Sequence, residues 1–159
     1  MVHINLICVG KIKEKFFKEA IEEYAKRLSR FCNLNIFEVP DEKIPEKTNI
    51  NIENLIKQKE GKAILNNIKN DNYVVALDLK GEEMDSIDFS KEIEKISNIN
   101  STISFIIGGS LGLSEEVLGR SNRRICFSKM TFPHQLMRIF LLEQIYRAFK
   151  ISNNEKYHK

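Results

Sequence analysis

The sequence predicts an α/β protein with a mainly parallel β-sheet flanked by helices. Short segments rich in β-branched residues alternate along the whole chain with segments of helical periodicity, as they do in α/β proteins. Two strand segments, residues 73–79 and 101–107, are apolar at nearly every position, which is typical of parallel strands covered on both faces. A length of 159 residues suits one domain. With no repeat or linker in view, we expect residues 1–159 to form a single domain.

Each element has its own local signal. The first and last helices have apolar residues at helical spacing, and Pro133 suits the first helical position of the last one. Glu115 and Glu116 suit the first turn of the fourth helix, and Gly61 is expected to interrupt the second. The strands are expected at residues 2–9, 34–39, 73–79, 101–107 and 124–127. The helices are expected at residues 15–31, 52–68, 88–98, 114–118 and 133–150, with a polar loop at 41–48.

The last helix, from Pro133 to about Lys150, leaves almost no polar face. A helix that is apolar nearly all round must be buried on most of its sides. Two arrangements satisfy this: the helix is sandwiched within one subunit, or it packs against a second copy. We favour a twofold homodimer.

Composition excludes several classes of protein. No apolar run is long enough to span a membrane, and Lys11 and Lys13 follow the apolar start of the chain, the wrong order for a signal peptide. The cytoplasm is therefore the expected location. The three cysteines form no C-x-x-C pair and the three histidines show no metal-ligand spacing, so we expect no metal site. We interpret Cys8 and Cys126 as small buried hydrophobic residues.

The net charge of +3 is unevenly distributed. Residues 120–159 hold nine basic and two acidic residues, a net charge of +7, which leaves −4 for residues 1–119. A basic carboxyl-terminal segment on an acidic chain favours a polyanionic partner, although a solvated surface explains the charge equally well.

Two segments have the pattern of a ligand site. Residues 107–113, Ile-Gly-Gly-Ser-Leu-Gly-Leu, lie between a strand and a helix, where ligands of α/β sheets bind. This turn is neither a dinucleotide fingerprint nor a P-loop. Residues 127–138, Phe-Ser-Lys-Met-Thr-Phe-Pro-His-Gln-Leu-Met-Arg, form an unusually apolar loop that leads into the last helix, and core packing or a ligand must cover it.

These residues resemble a known family. The motif I-G-G-S-x-G-L, the segment F-S-K-M-T-F-P-H-Q-L-M-R, the helix motif E-Q-I-Y-R-A-F-K-I and the terminal Y-H-K are similar to ribosomal RNA large subunit methyltransferase H. The resemblance includes L-I-C-V-G-K-I-K-E-K near the start and F-E-V-P-D-E-K, and it covers nearly the whole chain. Only residues 83–101 match little.

The resemblance implies a SPOUT fold, with a trefoil knot and the cofactor site within about residues 73–159, in a homodimer. It also implies methyl transfer from S-adenosyl-L-methionine to N3 of a pseudouridine in 23S rRNA, on an assembled ribosomal particle. By position, it places the cofactor contacts on Leu77, Gly108, Phe127, Ser128, Lys129, Met130, Thr131 and Phe132.

N3 of pseudouridine is a poor nucleophile until its proton leaves. His134 is our candidate base, because its ordinary pKa of roughly 6.5 suits the task. Arg138 is a candidate to stabilise the anion or hold a phosphate. Tyr157 and His158 are candidates from the tail of the same or the other subunit. We expect the RNA contacts to come from Lys129, Arg138, Arg147, Lys150, Lys156 and Lys159.

Two other functions fit parts of the pattern. A ribosome-binding or assembly factor with a vestigial cofactor pocket would use the same basic residues without catalysis. A flavodoxin-like nucleotide binder would need only the glycine-rich turn. Binding of S-adenosylmethionine distinguishes the methyltransferase from the assembly factor, and bound flavin or affinity for nucleotides would support the last function.

Overall fold

The computed structural model describes the whole chain, Met1 to Lys159, and has one five-stranded sheet in which every strand pair is parallel. The strand order is β2-β1-β4-β3-β5. The strands are β1 (Val2–Val9), β2 (Cys32–Val39), β3 (Tyr73–Glu83), β4 (Thr102–Ile107) and β5 (Arg123–Cys126). The helices are α1 (Lys15–Leu28), α2 (Ile50–Leu65), α3 (Ser86–Ile99), α4 (Glu115–Arg120) and α5 (His134–Ser152). The predicted α/β class and parallel sheet are confirmed.

The helices cover both faces of the sheet. One core cluster joins α1, α3 and α5 to the sheet, and a second joins α2 and α4 to the opposite face. The connections that contain α1 and α3 run one way along the sheet, and those that contain α2 and α4 run the other way. A single handedness of the connections therefore places the two pairs on opposite faces. The chain turns one way after β1 and the other way after β4, so the gap between their carboxyl ends is the expected ligand crevice.

The prediction that Gly61 interrupts the second helix is wrong, because α2 is continuous from Ile50 to Leu65. Gly61 is buried where α2 approaches α4, and a Cβ atom there would lie 2.5 Å from Ser114 Oγ and 3.2 Å from Val117. The glycine therefore allows close helix packing and does not end the helix.

The third strand runs to Glu83, four residues beyond its predicted end. Leu77 and Glu82 both pair with Ile125 of β5, so the ladder resumes after an irregularity. A Cβ atom on Gly81 would lie 2.6 Å from the backbone of Ile125, so only glycine lets the two strands resume contact. The extension is polar in sequence, so the hydrophobic pattern did not predict it.

The last helix packs between α1 and α3 and reaches β4. Its inner side is buried through Leu141, Leu142 and Ile145, which accounts for part of its apolar character within one subunit. Pro133 is the residue before the helix, not its first residue, and its carbonyl accepts from Met137 N–H. No helix is both long enough and apolar enough to cross a bilayer.

All three cysteines are buried and free, as interpreted for Cys8 and Cys126. Burial raises the pKa of the Cys8 and Cys32 thiols to about 12. The thiolate form that reacts is therefore scarce at neutral pH.

Candidate active site at the carboxyl edge of the sheet

A cleft of about 460 Å3 opens where β1 and β2 end and α5 begins. Gly10 lies at its centre with a φ of +93°, a conformation that side chains disfavour. A Cβ atom on Gly10 would lie 3.6 Å from His134 Nε2 and 3.8 Å from Asp41 Oδ2. The absence of a side chain therefore leaves room between the histidine and the carboxylate. We call this space the β1–β2 cleft; it is lined by Gly10, Lys11, Lys13, Glu38, Val39, Pro40, Asp41, His134 and Gln135.

Arg138 joins three elements beneath the β1–β2 cleft and is only 1% exposed. Its NH1 donates to Glu38 Oε2 at 2.6 Å and its NH2 donates to the Gly10 carbonyl at 2.7 Å, while its Nε is buried without a partner. Burial opposes ionisation of Glu38, but the hydrogen bonds from Arg138 and Ile12 N–H lower the pKa of its carboxyl. The ion pair orients the ends of β1 and β2 against α5, so it shapes the cleft.

A second carboxyl group, Glu60, is 4% exposed and lies behind Asp41. Glu60 Oε2 accepts the Glu42 N–H at 3.1 Å. Burial raises the pKa of Glu60 to about 7 against the lowering effect of that bond, and the neighbouring Asp41 carboxyl adds to the rise. The Asp41 carboxyl group contributes because repulsion between two facing negative charges opposes ionisation of Glu60.

The glycine-rich turn after β4 lies beside this pair. A Cβ atom on Gly109 would lie 3.4 Å from Glu60 Oε1 and 3.6 Å from Asp41 Oδ1. A Cβ atom on Gly108 would lie 2.9 Å from the Leu113 side chain. Asp41 thus has one oxygen towards the turn and the other towards the β1–β2 cleft.

The loop after β5 holds six of the residues expected to bind the cofactor, at the same edge of the sheet. Met130 is 74% exposed, and Phe127 is half-buried against the core with Leu77 of β3. The N–H groups of Lys129, Thr131 and Phe132 donate to no group of the chain. Free backbone donors beside apolar side chains fit an adenosyl ligand. None of these residues lines the β1–β2 cleft.

The structure does not bring Tyr157 and His158 to His134 within one chain. Tyr157 donates to Glu143 and packs edge-on against Tyr146, with ring centroids 5.1 Å apart. His158 Nδ1 lies 3.1 Å from Arg147 NH1. Thirteen residues of α5 separate Arg147 from His134, about 20 Å along the helix axis, so the tail lies at the other end of α5.

The expected RNA-binding residues are placed unevenly. Arg138 is buried, so the expectation that it contacts RNA or a phosphate from the surface is wrong for this conformation. Arg147 is paired with Glu143 and Lys150 with Glu155. The remaining expected contacts are exposed: Lys129, Lys156 and Lys159.

Sequence reasoning missed six lining or supporting residues of this site: Lys11, Lys13, Glu38, Asp41, Glu60 and Gln135. The first four follow or end β1 and β2, and their segments belong to the motifs that carry the family resemblance. The sequence contained a signal for these residues, because the carboxyl ends of neighbouring parallel strands meet at one edge of the sheet. Glu60 gave no such signal, because it lies in the middle of a helix.

Comparison with known proteins identifies the family. The family described as "Predicted SPOUT methyltransferase" matches residues 2–158. The chain belongs to this SPOUT methyltransferase family.

Individual relatives are similar over their whole length. Ribosomal RNA large subunit methyltransferase H of Clostridium botulinum (strain 657 / Type Ba4) is 60% identical over 159 residues, covering 99% of this chain and 100% of the relative. The protein of the same name from Clostridium acetobutylicum is 58% identical with the same coverage, and Ribosomal RNA large subunit methyltransferase H 1 of Clostridium perfringens (strain SM101 / Type A) is also 58% identical with that coverage. The resemblance drawn from the sequence motifs is confirmed.

Proposed function

We propose that this protein is an S-adenosyl-L-methionine-dependent methyltransferase that methylates N3 of a pseudouridine in 23S rRNA. The observation that carries the proposal is the convergence at one sheet edge of the Gly108–Gly109 turn, the apolar loop after β5 and the His134 cleft. The relatives' name, which specifies ribosomal RNA of the large subunit, supports the substrate. An rRNA substrate also favours the cytoplasm.

We infer that Leu77, Gly108 and residues 127–132 hold the cofactor. The unpaired N–H groups of the loop after β5 suit the polar atoms of adenine and ribose, and Phe127 and Met130 suit the apolar ring faces. The bound cofactor would supply an electrophilic methyl group on a sulfonium centre. The trefoil knot expected within about residues 73–159 stays a prediction.

His134 is the proposed base. Its Nε2 faces open space above Gly10, and a neutral imidazole can accept the imide proton as the new nitrogen–carbon bond forms. Arg138 acts as a positioning residue. Its bonds to Glu38 and to the Gly10 carbonyl hold the ends of β1 and β2 against α5, the helix that begins at His134. Alignment of the two substrates supplies the rest of the acceleration.

A homodimer completes the proposed site. The outer side of the first half of α5 is apolar, through Leu136, Ile139 and Phe140, and Phe132 packs on Phe140 with ring centroids 5.2 Å apart. A partner packed there would extend the apolar contact. It could also bring its own tail, with Tyr157 and His158, to a cleft that the tail of the same chain does not reach.

The proposed activity is tested by incubating large ribosomal subunits and whole ribosomes with methyl-labelled cofactor, then mapping the modified nucleotide. We expect label at N3 of one pseudouridine of 23S rRNA. His134→Ala should lower turnover by at least about 100-fold with cofactor affinity unchanged by calorimetry. His3→Ala, at the opposite edge of the sheet, is the control. No cofactor binding by the wild-type protein would instead support a vestigial pocket, and unchanged turnover in His134→Ala would remove His134 as the base.

A further inference from the structure

We propose that the β1–β2 cleft is the subsite for the target nucleotide. In this arrangement Lys11 and Lys13 bind its phosphate, and Asp41 with Gln135 recognises the imide edge of a uracil-type base. This inference rests on the proposed function, because it names where the substrate of that reaction binds.

The position of the cleft favours substrate over cofactor. It lies outside the carboxyl ends of β1 and β2, next to the crevice between β1 and β4, and the residues expected to hold the cofactor lie elsewhere on the edge. Asp41 connects the two regions, since one of its oxygens faces Gly109 and the other faces Gly10. A ligand in the cleft would therefore lie beside the cofactor turn. Its volume of about 460 Å3 is that of a small-molecule site.

Charge favours a phosphate at the mouth of the cleft. Lys11 and Lys13 are exposed and form no ion pair, whereas the cations at the far end of α5 are neutralised by Glu143 and Glu155. The carboxylate of Glu38 is already matched by Arg138. The two lysines are thus available to a phosphate as free ammonium groups.

Hydrogen-bonding capacity favours a uracil-type base over cytosine. The edge of an imide base presents an N–H between two carbonyl oxygens, whereas cytosine presents an unprotonated ring nitrogen at that position. A carboxylate only accepts hydrogen bonds, so Asp41 repels the unprotonated ring nitrogen of cytosine and favours an imide N–H, whose proton His134 Nε2, also beside Gly10, accepts in the reaction. Gln135 and the lysines can donate to the carbonyl oxygens.

Glu60 supports this preference from behind. It is buried, and its Oε2 is fixed by the Glu42 N–H, while its Oε1 faces Asp41 across Gly109. This contact with a buried, anchored side chain fixes the direction of the Asp41 carboxyl group, whose Oδ2 faces Gly10 and the cleft. Glu60 is therefore a positioning residue for Asp41.

The test is an NMR titration of the full protein with uridine 5′-monophosphate, cytidine 5′-monophosphate and uridine. We expect shifts at Gly10, Lys11 and Gln135, and about tenfold tighter binding of the uridine nucleotide than of the cytidine nucleotide. Asp41→Asn should bind both nucleotides within about twofold of each other, because an amide can donate as well as accept. Uridine without phosphate should bind more weakly to wild type.

Lys11→Ala/Lys13→Ala should lose about tenfold in affinity for both nucleotides and lose the difference between uridine and its monophosphate. Lys91→Ala/Lys95→Ala, exposed on α3 and lining neither cleft, is the matched control and should bind as wild type does. A short single-stranded RNA with one uridine, compared with the same strand carrying cytidine there, should repeat the preference. Preference for free mononucleotides alone would overturn the RNA assignment.

Equal affinity of the wild type for the two nucleotides would overturn the proposal, as would shifts centred on the polar cleft of Asn35, Asn67 and Asn72. Calorimetry with the cofactor, run on the same variants, separates this outcome from failure of the proposed function. We expect cofactor affinity to stay within about twofold in Asp41→Asn and in the double lysine variant. A wild type that binds nucleotide but no cofactor would refute the proposed function alone.

Discussion

The two ends of α5 are each joined to the rest of the molecule by charged side chains, but in different environments. Near its start, Arg138 is 1% exposed and bonds to Glu38 and to the Gly10 carbonyl. From its middle onwards, half-buried Glu143 accepts hydrogen bonds from Tyr24, Tyr157 and Arg147, and Lys150 near its end pairs with Glu155.

The contacts of Arg138 shape a site, whereas those around Glu143 hold a segment of the chain in place. The Arg138 guanidinium has no water to replace a lost partner, so loss of Glu38, whose own side chain is 34% exposed, leaves an unmatched buried cation and deforms the β1–β2 cleft. Around Glu143 water can replace a lost partner, so each contact there is weaker. The network around Glu143 secures the tail, whereas Arg138 orients the strand ends that hold the proposed substrate site.

Arg138→Met should produce the largest effect. It removes the two long-range hydrogen bonds of a buried guanidinium and leaves the Gly10 carbonyl without its donor, at an expected loss of about 3 kcal/mol in the free energy of unfolding. Urea denaturation measures it, with the exposed Arg124→Met as control. A loss below about 1 kcal/mol would show that the ion pair at the start of α5 is no stronger than the Glu143 network.

Glu143→Ala should have an intermediate effect, about 1–2 kcal/mol, because three hydrogen-bond donors lose a partly exposed acceptor. Faster hydrogen exchange at residues 153–159, with little change at Gly10 and Ile12, is the expected pattern. Glu22→Ala, exposed on α1 and without an ion pair, is the control. Faster exchange at Gly10 would mean that the two ends of α5 are coupled.

Glu60→Gln should change how stability depends on pH. Glu60 has a pKa of about 7 in the folded chain against an ordinary 4.5, so its proton favours the fold below 4.5, and that stabilisation is lost as pH rises to 7. Glutamine does not titrate. The variant should therefore gain about 2–4 °C in Tm relative to wild type between about pH 5 and about pH 8. Charged or titratable neighbours are Asp41, Glu42, Lys11, Lys13 and His134.

Parallel melting curves for wild type and Glu60→Gln would contradict this pH dependence at the cleft. Tyr24→Phe serves as the comparison at the other end of α5. Burial and the bond to Glu143 raise the pKa of Tyr24 to about 12, so its contribution changes only in strongly alkaline solution. The Tm difference between Tyr24→Phe and wild type should therefore be constant from about pH 5 to about pH 8.

The smallest expected effects concern RNA affinity. Lys129 is exposed and unpaired, whereas Lys150 is held by Glu155. Lys129→Ala should lower the slope of log affinity against log salt by about 1, and Lys150→Ala should change it less, because the paired lysine already has a counterion. Filter binding or anisotropy over a salt series measures both. Equal changes would show that the Lys150–Glu155 pair opens when RNA binds.

Local pattern predicted most of the fold. All five strands and five helices lie where β-branched runs and helical periodicity placed them, with shifts mostly at their ends. The exceptions depended on distant contacts. Gly61 was expected to interrupt α2 and instead lies against α4, and Gly81 lets β3 resume its contact with β5.

The candidate site was predictable only in part, and for a related reason. The glycine-rich turn and the loop before α5 are contiguous in sequence, so they were visible as motifs. The β1–β2 cleft is assembled from loops that the chain visits far apart, and its supporting residues, Glu38 and Glu60, look like ordinary surface glutamates in the sequence.

The sequence by itself determined the alternation of strands and helices, the parallel sheet and the motifs shared with SPOUT methyltransferases, because these depend on neighbouring residues. Only the tertiary structure decided which charges are free. In the sequence Arg138 was expected to be an accessible cation, but packing buries it against Glu38. Lys11 and Lys13 had no assigned role in the sequence, and the structure places them unpaired at a cleft. Burial and pairing set the energy of a charge, and both depend on residues a hundred or more positions away.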